Sequence, residues 1–274
     1  MDSVSEAQAG IRTDIPHSAR MYDYYLGGRT NYRPDRDAAH EVATVFPGVF
    51  TCASENRDFM HRATRVLARS YGIRQWLDIG TGIPTSPNLH EVAQSIVDDA
   101  RVVYADHDPI VLNYARALLR STPAGRTAYV QADVTDPDSI LSDDALTATL
   151  DLSRPVALSL NALLHFVPDD RDPYGIVSRL MAALPSGSAL AISHCTPDFA
   201  PEVWAEVEGV YRHGGTPLQV RSREEVERFF DGLELIDPGI AIADDWRPEE
   251  TARPEMPAVS DADVSLWAGV GIKP

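Results

Sequence analysis

The feature that most constrains the fold is an apolar run at residues 76–82 that ends in a glycine-rich turn, Gly80-Thr81-Gly82. An amphipathic helical pattern follows, and a second apolar run ends in Asp106, 24 residues after Gly82. This order is typical of the βαβ unit that binds adenosine-containing cofactors. Glycine has no Cβ to keep backbone N–H groups away from a ligand, and a carboxylate can accept two hydrogen bonds from a ribose diol. The sequence therefore predicts a nucleoside-cofactor site.

The alternation of strand and helix patterns continues along the chain. Asp-Pro pairs at residues 108–109 and 172–173 are typical of helix starts, and residues 222–225 form a capping box. These elements predict an α/β, doubly wound, mostly parallel, seven-stranded Rossmann-like sheet. The last two strands have no convincing helix between them, so we expect them to form an antiparallel edge hairpin. The predicted strands cover residues 75–80, 101–106, 127–133, 156–161, 188–194, 233–242 and 264–272.

We expect three parts along the chain. The sequence predicts that residues 1–15 form a disordered tail and that residues 16–74 form an N-terminal helical lid or extension. It predicts the Rossmann-like core over residues 75–274. Within the extension, apolar periodicity predicts one helix after Asp35 and another that begins at Ser54.

The composition excludes several classes of function. A net charge of −17 argues against nucleic acid as a partner, because phosphate binding needs a basic surface. Lys273 is the only lysine among 24 basic residues. A Walker lysine, a Schiff-base lysine and a Tyr-x-x-x-Lys dehydrogenase pair all need an internal lysine, and none is present.

The remaining composition predicts a cytoplasmic protein. No apolar run reaches the length of about 18 residues that spans a membrane, and residues 1–10 contain no apolar signal core. Cys52 and Cys195 form no disulfide framework, which fits a reducing compartment. The 8 histidines are scattered without metal-ligand spacing, so we expect no metal site.

Polar residues lie in a row at or just after the carboxyl ends of the predicted strands. Because ligands of such sheets bind at the carboxyl ends of the strands, this row is placed to contact one extended ligand. A dinucleotide fingerprint would need a third glycine where the chain has Thr85, which counts against NAD without excluding it. The residues in the row are Asp78, Asp106, Asp133, Asn161 and His165.

Residues 77–82 resemble the first motif of the class I S-adenosylmethionine-dependent methyltransferases. Asp106 matches their acidic second-strand residue, and residues 132–134 match the third-strand segment that contacts adenine. One departure is Pro84, where many of these enzymes carry a third glycine, and it makes the turn stiffer.

Two further stretches, residues 18–28 and 163–169, are similar to a bacterial branch of that superfamily whose substrates are largely unassigned. The N-terminal stretch is the more specific marker of this branch. The resemblance covers roughly residues 16–272, which is most of the chain.

The resemblance implies S-adenosylmethionine as the cofactor and a role for each residue near it. Gly80 and Gly82 would face the methionine part through their backbone. Asp78 would support the ammonium group through water, and Asp106 would bind the ribose hydroxyls.

At the adenine end, the resemblance implies that His107 lies beside the ring. Asp133 would accept a hydrogen bond from the adenine amino group, with the Val134 backbone adjacent. Asn161 completes the predicted cofactor-binding set. A strand-end aspartate often caps the following helix instead, although the aspartates of the Asp-Pro pairs are better capping candidates.

His165 is the candidate catalytic residue. It follows the fourth predicted strand, near the expected position of the transferred methyl group, and could act as a general base for a hydroxyl or ammonium acceptor. The alternative is a histidine packed between Leu164 and Phe166, and the sequence leaves the two interpretations open.

Four of the 10 tyrosines lie between residues 22 and 32, where Gly27-Gly28 interrupts them. Such an aromatic, glycine-hinged segment could fold over the cofactor as a lid, and aromatic faces suit a sulfonium cation. The alternative is simple docking of an N-terminal helix onto the sheet. The predicted substrate or lid residues are Tyr22, Tyr25, Asn31 and Tyr32.

The leading hypothesis is an S-adenosylmethionine-dependent methyltransferase that acts on a small-molecule acceptor. The alternatives are an NAD-dependent oxidoreductase on a related sheet and a non-enzymatic S-adenosylmethionine-binding regulatory module. The acceptor, the methylated atom and the oligomeric state do not follow from the sequence.

Overall fold

The computed structural model of the chain describes residues 12–118, 120–250 and 259–274. Its strands pair into one sheet of 8 strands. They are β1 (Gln75–Ile79), β2 (Arg101–Asp106), β3 (Arg126–Gln131), β4 (Ala157–Asn161), β5 (Ala189–Cys195), β6 (Glu234–Leu235), β7 (Ala241–Ile242) and β8 (Leu266–Ile272).

The sheet has the order β3-β2-β1-β4-β5-β8-β6, with β7 also paired to β8. Strands β1 to β5 pair in parallel, and β8 runs antiparallel to β5, β6 and β7. The chain reverses sides after β3, so that β1 and β4 are neighbours near the middle of the sheet. This topology confirms the predicted Rossmann-like α/β fold with antiparallel pairing at one end.

The antiparallel end differs from the predicted hairpin in one detail. The stretch predicted as one strand at residues 233–242 is two short strands, because a turn interrupts it. Pro238 has no N–H to donate to a neighbouring strand, and Gly239 has a positive φ of 83°. Strand β8 is therefore interior, and β6 and β7 form the edge.

Helices cover both faces of the sheet and precede it in the chain. No helix among the described residues is long and apolar enough to cross a membrane. The helices are α1 (Ser18–Tyr25), α2 (Arg33–Val45), α3 (Val49–Ser70), α4 (Leu89–Gln94), α5 (Pro109–Leu118), α6 (Pro137–Leu141), α7 (Asp144–Thr149), α8 (Pro173–Ala182), α9 (Pro201–His213), α10 (Arg223–Glu227) and α11 (Asp261–Val264).

Helix α3 begins at Val49, about one turn before the predicted start at Ser54. Cys52 and Ala53 are both buried, so the apolar face of the helix extends through this earlier turn. Helix α4 begins at Leu89. Asn88 caps it through a capping box with Glu91, and this cap fixes the first helical residue after Pro87.

Two apolar cores lie on opposite faces of the sheet. Trp76 of β1 packs into the first core together with helices α1 to α3, whereas its neighbour Leu77 packs into the second. The predicted division at residues 74 and 75 stays a prediction. Residues 1–11 of the predicted tail lie outside the described residues, while the carbonyls of Arg12 and Ile15 accept hydrogen bonds from Arg20.

Candidate functional site

One cavity of about 180 Å³ lies at the carboxyl ends of the central strands, beneath helices α1, α2, α3 and α9. Such strand ends are where open α/β sheets bind their ligands. Among the described residues, no group of three His, Cys, Asp or Glu side chains could hold a metal ion. The cavity brings together most of the predicted site residues, namely Tyr22, Tyr25, Asp78, Gly80, Gly82, Asp106, His107, Asn161 and His165.

The turn after β1 needs its two glycines. Gly80 and Gly82 have positive φ values of 76° and 66°, which residues with a Cβ rarely adopt. A Cβ on Gly80 would also lie 2.6 Å from Cδ1 of Leu163. The turn thus presents bare backbone to the cavity, and the Gly82 N–H points at the end of β2.

Asp106 closes this turn from the end of β2. One of its carboxylate oxygens accepts a hydrogen bond from the Gly82 N–H (3.0 Å), and the other accepts one from the Asp108 N–H (3.0 Å). Burial raises the pKa of Asp106, and these two N–H donors oppose that rise. Each oxygen keeps a lone pair for a further donor.

A second polar cluster joins the ends of β1 and β4. Burial raises the pKa of Asp78 to about 6, although Ser159 hydrogen-bonds to its carboxylate and the charge of Arg57 favours the ionised form. Asn161 donates to the Ser159 hydroxyl (2.7 Å). The buried Oδ1 of Asn161 has no hydrogen-bond partner within residues 12–118, 120–250 and 259–274, so a ligand with a donor group would satisfy it.

His165 lines the cavity but is buried and electrically neutral. Its Nδ1 accepts a hydrogen bond from the Cys195 N–H (3.4 Å), and its ring packs edge-on against Phe166 with 4.5 Å between centroids. Burial and the nearby Arg221 charge lower the pKa of His165 to about 3. His165 therefore lines the cavity and packs against Phe166, and its role as a general base stays a prediction.

Arg221 holds the segment around His165, and sequence reasoning missed it. Its buried guanidinium donates to the Leu164 and Val167 carbonyls (both 3.0 Å) and to Asp169 (2.7 Å). It also donates to Nε2 of His194 (2.9 Å). No local sequence pattern marks Arg221, because its partners lie 27 to 57 residues away.

Helix α1 covers the cavity and is tied to the core through Tyr22. The Tyr22 hydroxyl donates to the Ala53 carbonyl (3.0 Å) and accepts from the Asn56 amide (2.6 Å). Asn56 in turn accepts a hydrogen bond from the Ser193 hydroxyl. This chain of contacts connects α1, α3 and the end of β5.

The predicted lid residues Asn31 and Tyr32 lie outside the cavity lining. The Asn31 amide donates to the buried carboxylate of Asp23 (2.8 Å), and the Tyr32 N–H donates to the buried Asp35 (2.7 Å). Asp35 also pairs with Arg20 at 3.1 Å. These contacts fix the turn between α1 and α2, so both residues shape the covering segment from outside.

His17 extends the cover as far as the end of β2. Its Nε2 lies 3.4 Å from Nε2 of His107, and its Nδ1 lies 3.4 Å from the Asp108 carboxylate. Burial lowers the pKa of His17. The N-terminal segment therefore reaches the strand end that carries Asp106.

The sequence matches an S-adenosyl methyltransferase family over residues 4–274. The chain belongs to this family. It is similar to a DUF574-family protein from Streptomyces avermitilis, with 48% identity and a TM-score of 0.91, over 96% of this chain and 99% of that one. A proposed methyltransferase from Thermobifida fusca is 37% identical with a TM-score of 0.86, over 95% of this chain and 97% of that one.

Human N-acetylserotonin methyltransferase in complex with S-adenosylmethionine shares the fold alone, with 10% identity and a TM-score of 0.50 over 98% of this chain and 61% of that one. No significant match is found among curated proteins. The family assignment makes S-adenosylmethionine the cofactor and supports it over NAD.

The hydrogen-bond acceptors of the cavity fit this cofactor. An ionised carboxylate and an unpartnered amide oxygen, from Asp78 and Asn161, suit an ammonium group. Asp106 keeps acceptor capacity for ribose hydroxyls, and the positive-φ glycines leave room for a ligand against the backbone.

Asp133 and Val134 lie outside the cavity lining, although the preceding Ala132 N–H donates to the Asp106 carbonyl (3.1 Å). Oδ1 of Asp133 accepts from both the N–H and the hydroxyl of Thr135 (2.9 Å each), which is a local turn interaction. Val134 packs into the second core. Their predicted contacts with adenine stay a prediction.

Proposed function

We propose that this protein transfers the methyl group of S-adenosylmethionine to a small-molecule acceptor held in the cavity. The observation that carries the proposal is the cavity itself. It joins the polar strand ends of β1, β2 and β4 to an apolar region between α2, α3 and α9. A ligand at the strand ends would therefore lie beside an apolar region of the same cavity, where an acceptor can meet it.

In this proposal the strand ends hold the cofactor. Asp78 in its ionised form and Oδ1 of Asn161 bind the ammonium group, and Asp106 binds the ribose hydroxyls. The backbone of Gly80 and Gly82 lies against the methionine part. When bound, the cofactor supplies a methyl group on a cationic sulfur, which becomes a neutral thioether after transfer.

The protein contributes mainly alignment to such an in-line transfer, and alignment can lower a barrier by several kcal/mol. His165 is neutral around pH 7, because its pKa is lowered to about 3. Its Nδ1 accepts from the Cys195 N–H, so the ring proton lies on Nε2, and the role of His165 here is to donate a hydrogen bond to the acceptor. A buried imidazolium beside Arg221 is unfavourable, which makes His165 a weak base. General-base catalysis by His165 stays a prediction.

Helix α1 is the cover of the cofactor end in this proposal. Its Tyr22 is anchored by Asn56 and Ala53, and His17 lies over the end of β2. Both placements support a covering segment that excludes water from the transferred methyl group.

Calorimetric titration with S-adenosylmethionine, S-adenosylhomocysteine and NAD tests the cofactor. Release of S-adenosylhomocysteine in the presence of a panel of small acceptors tests the transfer. We expect binding of the first two ligands without NAD, and release that depends on an acceptor. Binding without release from any acceptor would favour the non-enzymatic module, and tight binding of NAD alone would contradict the proposal.

A further inference from the structure

We infer that the acceptor is an uncharged, largely apolar compound with one hydroxyl or carbonyl oxygen, and that the Tyr25 hydroxyl binds this oxygen. The inference rests on the proposed function and names the substrate class of the same cavity. It depends on how charge is distributed along the cavity and on one buried hydroxyl group.

The charged side chains among the described lining residues lie at the cofactor end. They are Asp78, Asp106 and Arg57, apart from the histidines. Arg57 is held there by the carbonyls of Thr85 and Pro87, the latter at 2.7 Å. A charged acceptor group would therefore find no counter-charge among the described residues that line the rest of the cavity.

The wall between α2, α3 and α9 is apolar. Phe46 and Trp204 form its end, with 5.2 Å between ring centroids. Val42, Val49, Met60 and Val207 line it and are all buried. Transfer of an ion into such surroundings without a partner costs several kcal/mol, whereas an aromatic or aliphatic body gains from burial.

Tyr25 supplies a hydroxyl group to this region, where the buried Nε1–H of Trp204 is a second donor without a partner among the described residues. The Tyr25 side chain is 7% exposed, and its hydroxyl lies beside that of Tyr211, which contributes, after burial, to its raised pKa, but it makes no well-formed hydrogen bond with any of the described residues. Burial raises the pKa of Tyr25, so the hydroxyl keeps its proton and can donate it to an oxygen. A buried hydroxyl without a partner is costly, and a ligand oxygen would remove that cost.

A matched pair of probes tests the inference. The probes are 2-naphthol and 2-naphthoate, which share a ring system and differ in charge at neutral pH. Both are titrated by calorimetry into the full-length protein saturated with S-adenosylhomocysteine. We expect 2-naphthol to bind at least about tenfold more tightly, because the carboxylate loses its hydration without gaining a partner.

Variants locate the binding region. Tyr25→Phe is expected to weaken 2-naphthol binding by roughly five- to tenfold and to leave the affinity for S-adenosylhomocysteine unchanged, because one hydrogen bond is lost. Tyr71→Phe is the control, since Tyr71 is 42% exposed and lies outside the cavity lining. Leu218→Arg places a cation in the half-buried wall and should shift the preference toward 2-naphthoate.

Equal or tighter binding of 2-naphthoate by the unmodified protein would overturn the inference. Unchanged affinity for 2-naphthol in Tyr25→Phe would overturn the role of Tyr25. If a charged acceptor releases S-adenosylhomocysteine and 2-naphthol does not bind, the inference fails and the proposed function stands. If 2-naphthol binds to a protein that takes no S-adenosylhomocysteine, the proposed function fails and the inference about the cavity stands.

Discussion

The strand ends of β1 and β2 differ from those of β4 and β5 in how their polar groups are held. At β1 and β2, the Asp106 carboxylate is positioned by N–H groups from its own loop and the neighbouring turn. At β4 and β5, His165 and His194 are positioned around Arg221, which comes from a later loop. The first arrangement lies within one βαβ unit, whose motif can be recognised in the sequence, whereas the second joins the ends of β4 and β5 to a loop that belongs to no such motif.

The two regions also differ in function, because the polar groups of one can bind a ligand and those of the other hold the structure together. The Asp106 and Asp78 carboxylates keep capacity to bind a ligand. The two terminal nitrogens of the Arg221 guanidinium, by contrast, donate to carbonyls, to His194 and to Asp169, and they fix the wall that contains His165. Substitution of Arg221 should therefore lower the free energy of unfolding, whereas substitution of Asp106 or Asp78 should lower the affinity for the ligand.

The largest expected effect comes from Arg221→Met. The substitution leaves buried carbonyls of Leu164 and Val167 without their donor, so we expect a loss of about 3–5 kcal/mol in the free energy of unfolding. Urea denaturation measures it. Arg179→Met is the matched control, because Arg179 pairs with Asp138 on the surface and should change stability by less than about 1 kcal/mol. Similar losses in both variants would contradict the supporting role.

Asp106→Ala tests the other strand end. We expect it to weaken S-adenosylhomocysteine binding by roughly 1–3 kcal/mol, because a carboxylate that accepts hydrogen bonds from the ribose is lost. Calorimetry on the folded variant measures this. Asp136→Ala is the control, since Asp136 caps α6 away from the cavity and its loss should affect stability alone. Unchanged affinity in Asp106→Ala would remove the ribose assignment.

The fold could be predicted from the sequence to a large extent because its evidence is local. Each parallel strand is an apolar run that ends in a turn, and Asp-Pro and capping-box sequences mark several helix starts. The prediction was wrong where a single turn broke a strand at Pro238 and Gly239. It was also imprecise at α3, whose start depends on burial against other elements.

The residues of the candidate site also divide into those that the sequence indicated and those that it did not. Residues at or next to the carboxyl end of a strand, such as Asp78, Asp106 and Asn161, could be named from their position. Tyr25 could be proposed from the tyrosine cluster, but its unpartnered hydroxyl could not be. Arg221 and Trp204 carried no signal, because long-range packing brings them to the cavity.

The pH dependence of cofactor binding sharpens the role of Asp78. Its folded pKa is raised to about 6, so the ligand-free protein carries the protonated form below that pH. If the ionised form binds the ammonium group, the affinity should rise up to about tenfold per pH unit from about pH 5 to pH 6 and level off above. Asp78→Asn should abolish this dependence in calorimetric titrations. A wild-type affinity that is independent of pH would contradict the role.

The same raised pKa gives a stability prediction with a defined sign. Between the unfolded value of 3.8 and about 6, the folded protein binds the proton of Asp78 more tightly, so the contribution of this group to stability falls as pH rises. At neutral pH, which is above both pKa values, the full unfavourable contribution of the buried Asp78 carboxylate to stability is present. Relative to the wild type, Asp78→Asn should therefore gain stability as pH rises through this window. Urea denaturation at the two ends of the window measures the gain.

The smallest expected effect concerns His165. Its pKa is lowered to about 3, so the imidazole stays neutral across the usual assay range and its titration should leave no inflection near pH 6 to 7 in the rate profile. His165→Gln keeps a hydrogen-bonding group and should lower turnover by less than about tenfold, the scale of one hydrogen bond. Single-turnover rates against pH, with an accepted acceptor, measure both. A loss of about 10²-fold or more with an inflection that vanishes in the variant would instead establish His165 as a general base.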